Sequence, residues 1–400
     1  MSLLIAGGGM GGLAVALACA KVGWQPRIFE QAKQFSEVGA GIQLGPNATR
    51  ILAGWGLAEA LSAVAAFPQQ LRVRSAPNGA QLGVLRLGKD IEGRYGAPYA
   101  TVHRADLQAV LVEAVRAAGV QPRLSSRVTA VQLEPERVTV EIDDVSSPGG
   151  DAPVPVEGDA LIGADGLWSS VRKQVWGDQP PSPTGHVAYR GVISQADLPV
   201  GLRSNDVNVW LGPRMHLVAY PVRGGSQLNV VVIVQGQSRG PAEDWDQEAL
   251  STELQRAAGT LCTPLLDLIW AVPSWRLWAL NDRAPMRSAD EMARGRVALL
   301  GDAAHPMRPY FAQGAGMAIE DADKLARLLS LANGRAVDVP KALRAYALNR
   351  WRRDARVQAL SRRNGRVFHA TGLVRWGRDL ALRMSGERLL DQPWLYGKTA

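Results

Sequence analysis

The chain has 400 residues, 46% of them hydrophobic and 20% charged, with a formal net charge of +8. That balance excludes a disordered polyelectrolyte and is long enough for two or three domains around a sizeable core. Two cysteines, Cys19 and Cys262, exclude a disulfide framework or a cysteine-based zinc site, so a reducing cytoplasmic location is expected.

Leu3-Leu4-Ile5 is a short apolar run suited to a buried parallel strand, and Gly7, Gly9 and Gly12 follow it as G-x-G-x-x-G. No Lys or Arg precedes Lys21, and glycines fill all but one of the positions from Gly7 to Gly12. Those features speak against a secretory signal and a membrane-spanning helix. Leu13–Val22 reads as a small-residue helix ended by Gly23, and Pro26–Phe29 as a second strand closed by Glu30. Each part has a use in binding a dinucleotide. Glycines allow the tight turn and close backbone approach to a pyrophosphate, the helix N-terminus favours its charge, and a carboxylate at the second strand's end meets ribose hydroxyls.

"SEVGAGIQLGPNATRIL" predicts a glycine-rich loop and a helix starting at Pro46. "PYATVHRADLQAVLVEAVRAAGV" holds an amphipathic helix through Leu107, Val110, Leu111, Ala114 and Val115. Two alternating strands follow around Pro135, then a polar loop from Ser146 to Pro155 and a strand–turn–helix over Ala160–Trp176. "HVAYRGVIS", "DVNVWLG", "MHLVAYPV" and "QLNVVVIV" predict an antiparallel sheet, with a turn at Arg223-Gly224-Gly225. Strand–loop–helix returns at Gly295–Leu329. Its apolar face runs Ala315, Ala318, Ile319, Ala322, Leu325, Ala326 and Leu329, with Asn333-Gly334 beyond the helix end. The arginine-rich stretch Arg344–Arg366 has helical spacing, so it reads as a solvated helix over Trp351 rather than a nucleic-acid-binding tail. The positive charge attracts anionic small molecules.

The fold class expected is α/β (α+β overall), a Rossmann-type dinucleotide domain with an inserted β-sheet substrate domain and a helical C-terminus. Residues 1–75, 98–180 and 281–345 are assigned to the first domain, 76–97 and 181–280 to the second, and 346–400 to the C-terminal helical segment.

Four motifs in order carry a resemblance. They are Gly7-x-Gly9-x-x-Gly12 with Glu30, His103-Arg104-Ala105-Asp106-Leu107, Ala164-Asp165-Gly166, and Gly301-Asp302-Ala303-Ala304-His305-Pro306. The chain resembles the class A FAD-dependent aromatic hydroxylases. "EVGAGIQLGPNATRIL" is similar to the branch with salicylate, 3-hydroxybenzoate and 6-hydroxynicotinate hydroxylases, and the fold implied is that of p-hydroxybenzoate hydroxylase. The resemblance implies FAD as cofactor, NADH or NADPH as co-substrate and dioxygen as oxidant. A small phenolic or hydroxypyridine carboxylate would be hydroxylated through a flavin C4a-hydroperoxide. It implies a small aromatic acid as partner, with no nucleic acid and no membrane, and leaves open whether the chain is a homodimer.

By the same resemblance Gly7, Gly9, Gly12, Glu30, Arg104, Val128, Asp165, Asp302, Pro306, Ala315 and Gly316 would bind the cofactor, and no metal is expected. Asp165 serves equally as a structural turn residue. His305 receives no catalytic role. His216 and Tyr220, four apart on one strand face, would bracket an aromatic ring, with His216 able to take a phenolic proton. Tyr310 and Asn47 complete the substrate set, Tyr220 and Tyr310 would join His216 as catalytic residues, and Tyr310 stands where the hydroxynicotinate enzyme has a His. A different flavin reaction on the same scaffold, such as halogenation or reduction, or a non-catalytic nucleotide- or RNA-binding module, are the alternatives. No second complete fingerprint and no C-x-x-C pair supports a two-dinucleotide disulfide reductase.

Overall fold

The computed structural model describes residues 1–35, 40–146, 152–177, 179–237, 240, 247–330 and 337–397. The first parts of the glycine-rich loop and of the polar loop predicted from 146, and Asn333-Gly334, therefore lie in whole or part outside the described residues.

The buried run Ser2–Ala6 pairs in parallel with Gln25–Phe29 on one side and Ala160–Gly163 on the other. Val297–Leu299 extends the sheet in parallel, and the short Ala293–Arg294 closes its edge antiparallel. Strands far apart in sequence thus share one core, as expected for strands buried on both faces. The first helix spans Met10–Ala20 and so starts inside the glycine run, earlier than the apolar pattern alone placed it. A Cβ at Gly12 would lie 1.9 Å from the Gly7 carbonyl oxygen, and Gly7 itself has φ +100° against Ala164. These two glycines are demanded by the backbone itself.

The second sheet has eight strands in the order Gln247–Ala249, Trp275–Asp282, Ser182–Ser194, Gln227–Gln235, Met215–Val222, Val207–Gly212, Gln70–Ser75 and Gln81–Arg86. Its members pair antiparallel except Val207–Gly212 with Gln70–Ser75. Gln70–Ser75 lies before the division drawn at 75/76 from sequence, yet it pairs with this sheet, because a hairpin needs both of its strands.

The small-residue helix Gly314–Leu328 packs against Met10–Ala20 and Pro46–Gly54. The helix Val339–Phe368 begins before the C-terminal segment assigned at 346, capped by the Asp338 carboxylate accepting from the Lys341 N–H at 3.1 Å. It is the arginine-rich stretch. Arg350 is buried in ion pairs, Trp351 packs on the core, and Arg362 pairs with Asp282 at 3.0 Å, which matches the solvated-helix reading with one buried exception. Gly372–Leu390 then crosses the Gln81–Arg86 strand. No helix among the described residues is long and apolar enough to cross a membrane.

Candidate active site

Between the two sheets lies a cavity of about 370 Å³, within the usual size range of small-molecule sites. At one end are Gly9, Met10, Gly11, Arg104 and Asp302; at the other, the inner face of the eight-stranded sheet. A Cβ at Gly9 would meet nothing within 4 Å. Protein packing does not demand a glycine there; access to the cavity does. Gly9 is the N-cap of Met10–Ala20, and no side chain caps that helix, so its N-terminal dipole is directed at the cavity. Arg104, first residue of its helix, forms no ion pair among the described residues. A cation at a helix N-terminus is electrostatically unfavourable unless an anion joins it. These features fit the pyrophosphate of a dinucleotide.

Glu30 closes this end. Its Oε2 accepts from the Gly8 N–H at 2.5 Å and its Oε1 from the Ala32 N–H at 2.8 Å, which fixes the carboxylate beside the glycine loop. Asp302 stands in the cavity wall; burial raises its carboxyl above the usual range, countered by His305 and Arg104. Gly314 and Ala315 bring a second uncapped helix N-terminus to the same cavity.

Several predicted cofactor residues do not line this cavity. Val128 is buried in the core, and its carbonyl accepts from Ser170 Oγ at 3.0 Å. The Asp165 carboxylate accepts from Ser169 Oγ, Ser170 Oγ and the Val171 N–H, so it holds the turn into Ser170–Trp176, while Ala164 and Gly166 reach the cavity. Pro306 faces the long helix, where its carbonyl accepts from Gln358 Nε2 at 3.0 Å, and Met307 to Pro309 form the wall instead. Gly316 lies behind Ala315, against Asn47 and Gln313.

On the sheet side the period-2 reading of the strand is seen directly. His216, Val218 and Tyr220 all line the cavity. His216 is 2% exposed and its imidazole is held well below 6.5 by burial, then by His369 and His186, so it is neutral. Burial pushes the Tyr220 hydroxyl upward. Arg190, Val231, Ile233 and Trp278 share this wall, and the Arg190 guanidinium lies 5.0 Å from the Trp278 ring centroid. The sequence reading missed Arg190, although His186, Ala188 and Arg190 alternate onto one face. It also missed Gln43, whose Oε1 accepts from Tyr99 Oη at 2.6 Å.

Tyr310 is beside this wall but lines a second cavity of about 520 Å³, which shares Gln43, His216 and Val218 with the first. Its ring is 5.2 Å from that of His216, and its buried hydroxyl has no hydrogen-bond partner. Asn47 lines neither cavity and donates through Nδ2 to Gln313 at 3.1 Å and to Glu320 at 2.8 Å. The first turn of Pro46–Gly54 packs on Gly314–Leu328, whose unexpectedly buried Glu320 takes that amide.

At the Gly301–Pro306 motif, His305 Nε2 meets Asp321 at 2.5 Å, and Arg350 spans Glu320, Asp321 and Asp354 at 2.7 Å each. Desolvation opposes the charge on His305, but Asp354 and Asp321 outweigh it and lift the imidazole to about 9. Together with Arg350, which supplies the second cation, the His-Asp-Asp trio is a charge-matched structural cluster.

A protein-family model described as FAD binding domain matches residues 1–361. The chain is 40% identical over 399 residues to a 3-hydroxybenzoate 6-hydroxylase of Polaromonas naphthalenivorans (strain CJ2), covering 99% of this chain and 96% of the relative. It is 34% identical over 368 residues to a 6-hydroxynicotinate 3-monooxygenase of Bordetella bronchiseptica, covering 90% and 91%. Among solved structures, HpxO of Klebsiella pneumoniae with FAD and uric acid superposes with TM-score 0.84 at 26% identity over 98% and 95% of the two chains. A salicylate hydroxylase substrate complex does so with TM-score 0.81 at 27% identity over 99% and 95%.

Proposed function

The chain belongs to the FAD-dependent aromatic-ring monooxygenases, and on that premise we propose that it hydroxylates a small phenolic or hydroxypyridine carboxylate held between FAD and the inner face of the eight-stranded sheet. FAD is the cofactor, with NAD(P)H and dioxygen as co-substrates. When bound, FAD takes hydride from NAD(P)H and transfers one oxygen atom of dioxygen to the ring.

The residues then divide the work. The backbone around Gly9 to Gly11 and the Arg104 guanidinium would hold the pyrophosphate, Glu30 a ribose, and Asp302 the polyol chain. The N-terminus of Gly314–Leu328 would meet the ring end, where it stabilises negative charge. His216 would accept the phenolic proton, raising electron density at the ring carbon to be attacked. Tyr220 and the Trp278 wall orient the ring and exclude water, and Arg190 supplies positive potential for a carboxylate.

One observation carries this reading: a buried imidazole, His216, lines the same cavity as the glycine loop, and burial lowers it from its ordinary value. A group held neutral near pH 7 is able to accept a proton there, and a charged one is not. The test is to purify the protein with its flavin and follow NADH and NADPH oxidation with 3-hydroxybenzoate, salicylate and 6-hydroxynicotinate, quantifying product and peroxide. Faster oxidation with stoichiometric hydroxylated product supports the reading. Faster oxidation yielding only peroxide, or no response to any ring compound, overturns this substrate class.

A further inference from the structure

His216 is one of three imidazoles in contact. Its Nδ1 lies 2.8 Å from Nε2 of His369, the residue capping the long helix Val339–Phe368. The His369 ring is in turn 4.8 Å, centroid to centroid, from that of His186 on Ser182–Ser194, the strand beyond Gln227–Gln235. Exposure rises along the series: His216 is 2% exposed, His369 6%, and His186 is half-buried. The cap is anchored to the sheet, since the Arg214 N–H donates to the His369 carbonyl at 3.1 Å. Arg378 donates to the carbonyls of Val367 and Phe368, fixing the turn that presents the ring.

Tautomers follow from these partners. His186 Nδ1 lies 3.1 Å from the Thr184 carbonyl, which accepts only from an N–H, so its Nε2 holds a lone pair. His369 Nδ1 is buried without a hydrogen-bond partner, on the ring that stands between the other two.

We propose that His369 and His186 extend His216 into a three-imidazole proton exit, through which the substrate's phenolic proton leaves the buried ring for solvent. The inference rests on the reading of His216 as the proton acceptor. The phenolic O–H breaks as its proton bonds to His216 Nε2. The Nδ1 proton of His216 passes to His369 Nε2, the Nδ1 proton of His369 passes to His186 Nε2, and His186 releases it to water. Reverse passage returns a proton to the product's oxygen and restores each tautomer, so no charge stays on the wall. His369 acts through His216 and is a positioning and relay residue.

The surroundings keep the relay from trapping its proton. Burial first, then the neighbouring imidazoles, lowers His216, and Arg378 adds to the lowering of His369 to about 3. Burial and Arg308 lower His186, while Asp282, the nearby carboxylate, is engaged by Arg308 and Arg362. Tyr310, ring against all three, has its hydroxyl pushed up by burial and remains protonated.

The experiment uses the flavin-loaded full chain in weakly buffered solution with a pH indicator. Proton release on mixing with 3-hydroxybenzoate is timed by stopped flow for the wild type, His369→Phe and His186→Gln. Release is expected to slow by about 10²-fold in His369→Phe, less in His186→Gln, and to be partly restored by added imidazole, which a packing defect would not be. Should His369→Phe fail to retain flavin, His186→Gln, at the half-exposed end, carries the same measurement. Release at the wild-type rate in the flavin-retaining variants overturns the exit while leaving His216 as base. If the wild type ionises 3-hydroxybenzoate, salicylate and 6-hydroxynicotinate to no extent on binding, the base reading falls and the exit with it.

Discussion

Two buried histidines, His305 and His216, have opposite electrostatics. His305 stands among Asp321, Asp354 and Arg350, and the two carboxylates carry it to about 9 despite desolvation. His216 stands among other imidazoles and a phenol, where burial first, then His369 and His186, hold its imidazole well below its ordinary value. The two rings are equally dry, so burial cannot explain the difference; the charge of the partner does. A histidine with carboxylate partners is favoured as a cation, and here it ties the Gly301–Pro306 loop to Asp354 of the long helix. One with neutral partners keeps a lone pair for chemistry.

The largest effect expected from that contrast is on stability. Arg350→Ala leaves Glu320, Asp321 and Asp354 without their shared cation and is expected to cost about 3–5 kcal/mol in urea unfolding. His369→Phe removes only neutral pairing and should cost clearly less. A smaller loss for Arg350→Ala than for His369→Phe would break the comparison.

On the chemical side the order reverses. His216→Phe is expected to lower kcat/KM about 10²- to 10⁴-fold with flavin content unchanged, whereas His305→Gln should alter kcat/KM mainly as far as it loosens flavin. Steady-state kinetics at matched flavin occupancy separates the two, and equal losses would erase the distinction.

The pH dependence of stability sharpens it further, because the two signs differ. The folded-state value of His305, about 9, lies above the ordinary 6.5, so its contribution is complete below pH 6.5 and is lost as pH rises towards 9. The folded-state value of His369, about 3, lies below 6.5, so its contribution is present above pH 6.5 and is lost as pH falls towards 3. Melting temperatures against pH should therefore show a flatter alkaline limb in His305→Gln and a flatter acid limb in His369→Gln. Unchanged limbs would mean that these histidines do not set the slopes.

The smallest effect on stability belongs to Gly9 in the glycine loop. Gly9→Ala adds a methyl where nothing lies within 4 Å. The flavin-free protein should unfold within about 0.5 kcal/mol of the wild type, while FAD is retained less tightly, as measured by flavin release on dilution. Gly12→Ala, with its Cβ 1.9 Å from a carbonyl oxygen, should instead impair folding itself.

Local chemistry determined much of this protein directly. The glycine fingerprint, the strand ending at Glu30 and the G-D-A-A-H-P loop are contiguous, and their geometry is enforced by neighbouring backbone, so a reader of the chain locates the dinucleotide end. Alternation placed His216, Val218 and Tyr220 on one face, because strand period is a local property. Residues whose roles depend on which helix arrives opposite were not legible. Asn47 looked like cavity lining and is instead an amide ligand for buried Glu320. Glu320 and Asp321 look like the wet side of Gly314–Leu328 and are dry, because Arg350, some thirty residues onward, packs over them. His369 carries no motif at all; it meets His216 because a 30-residue helix ends beside the start of the Met215–Val222 strand. Sequence fixes what each short segment is able to do, since those constraints act over a few residues. Partners brought from distant segments decide whether a buried polar group is a counter-ion, a ligand or a base, since in a low dielectric its neighbour's charge outweighs its own intrinsic preference.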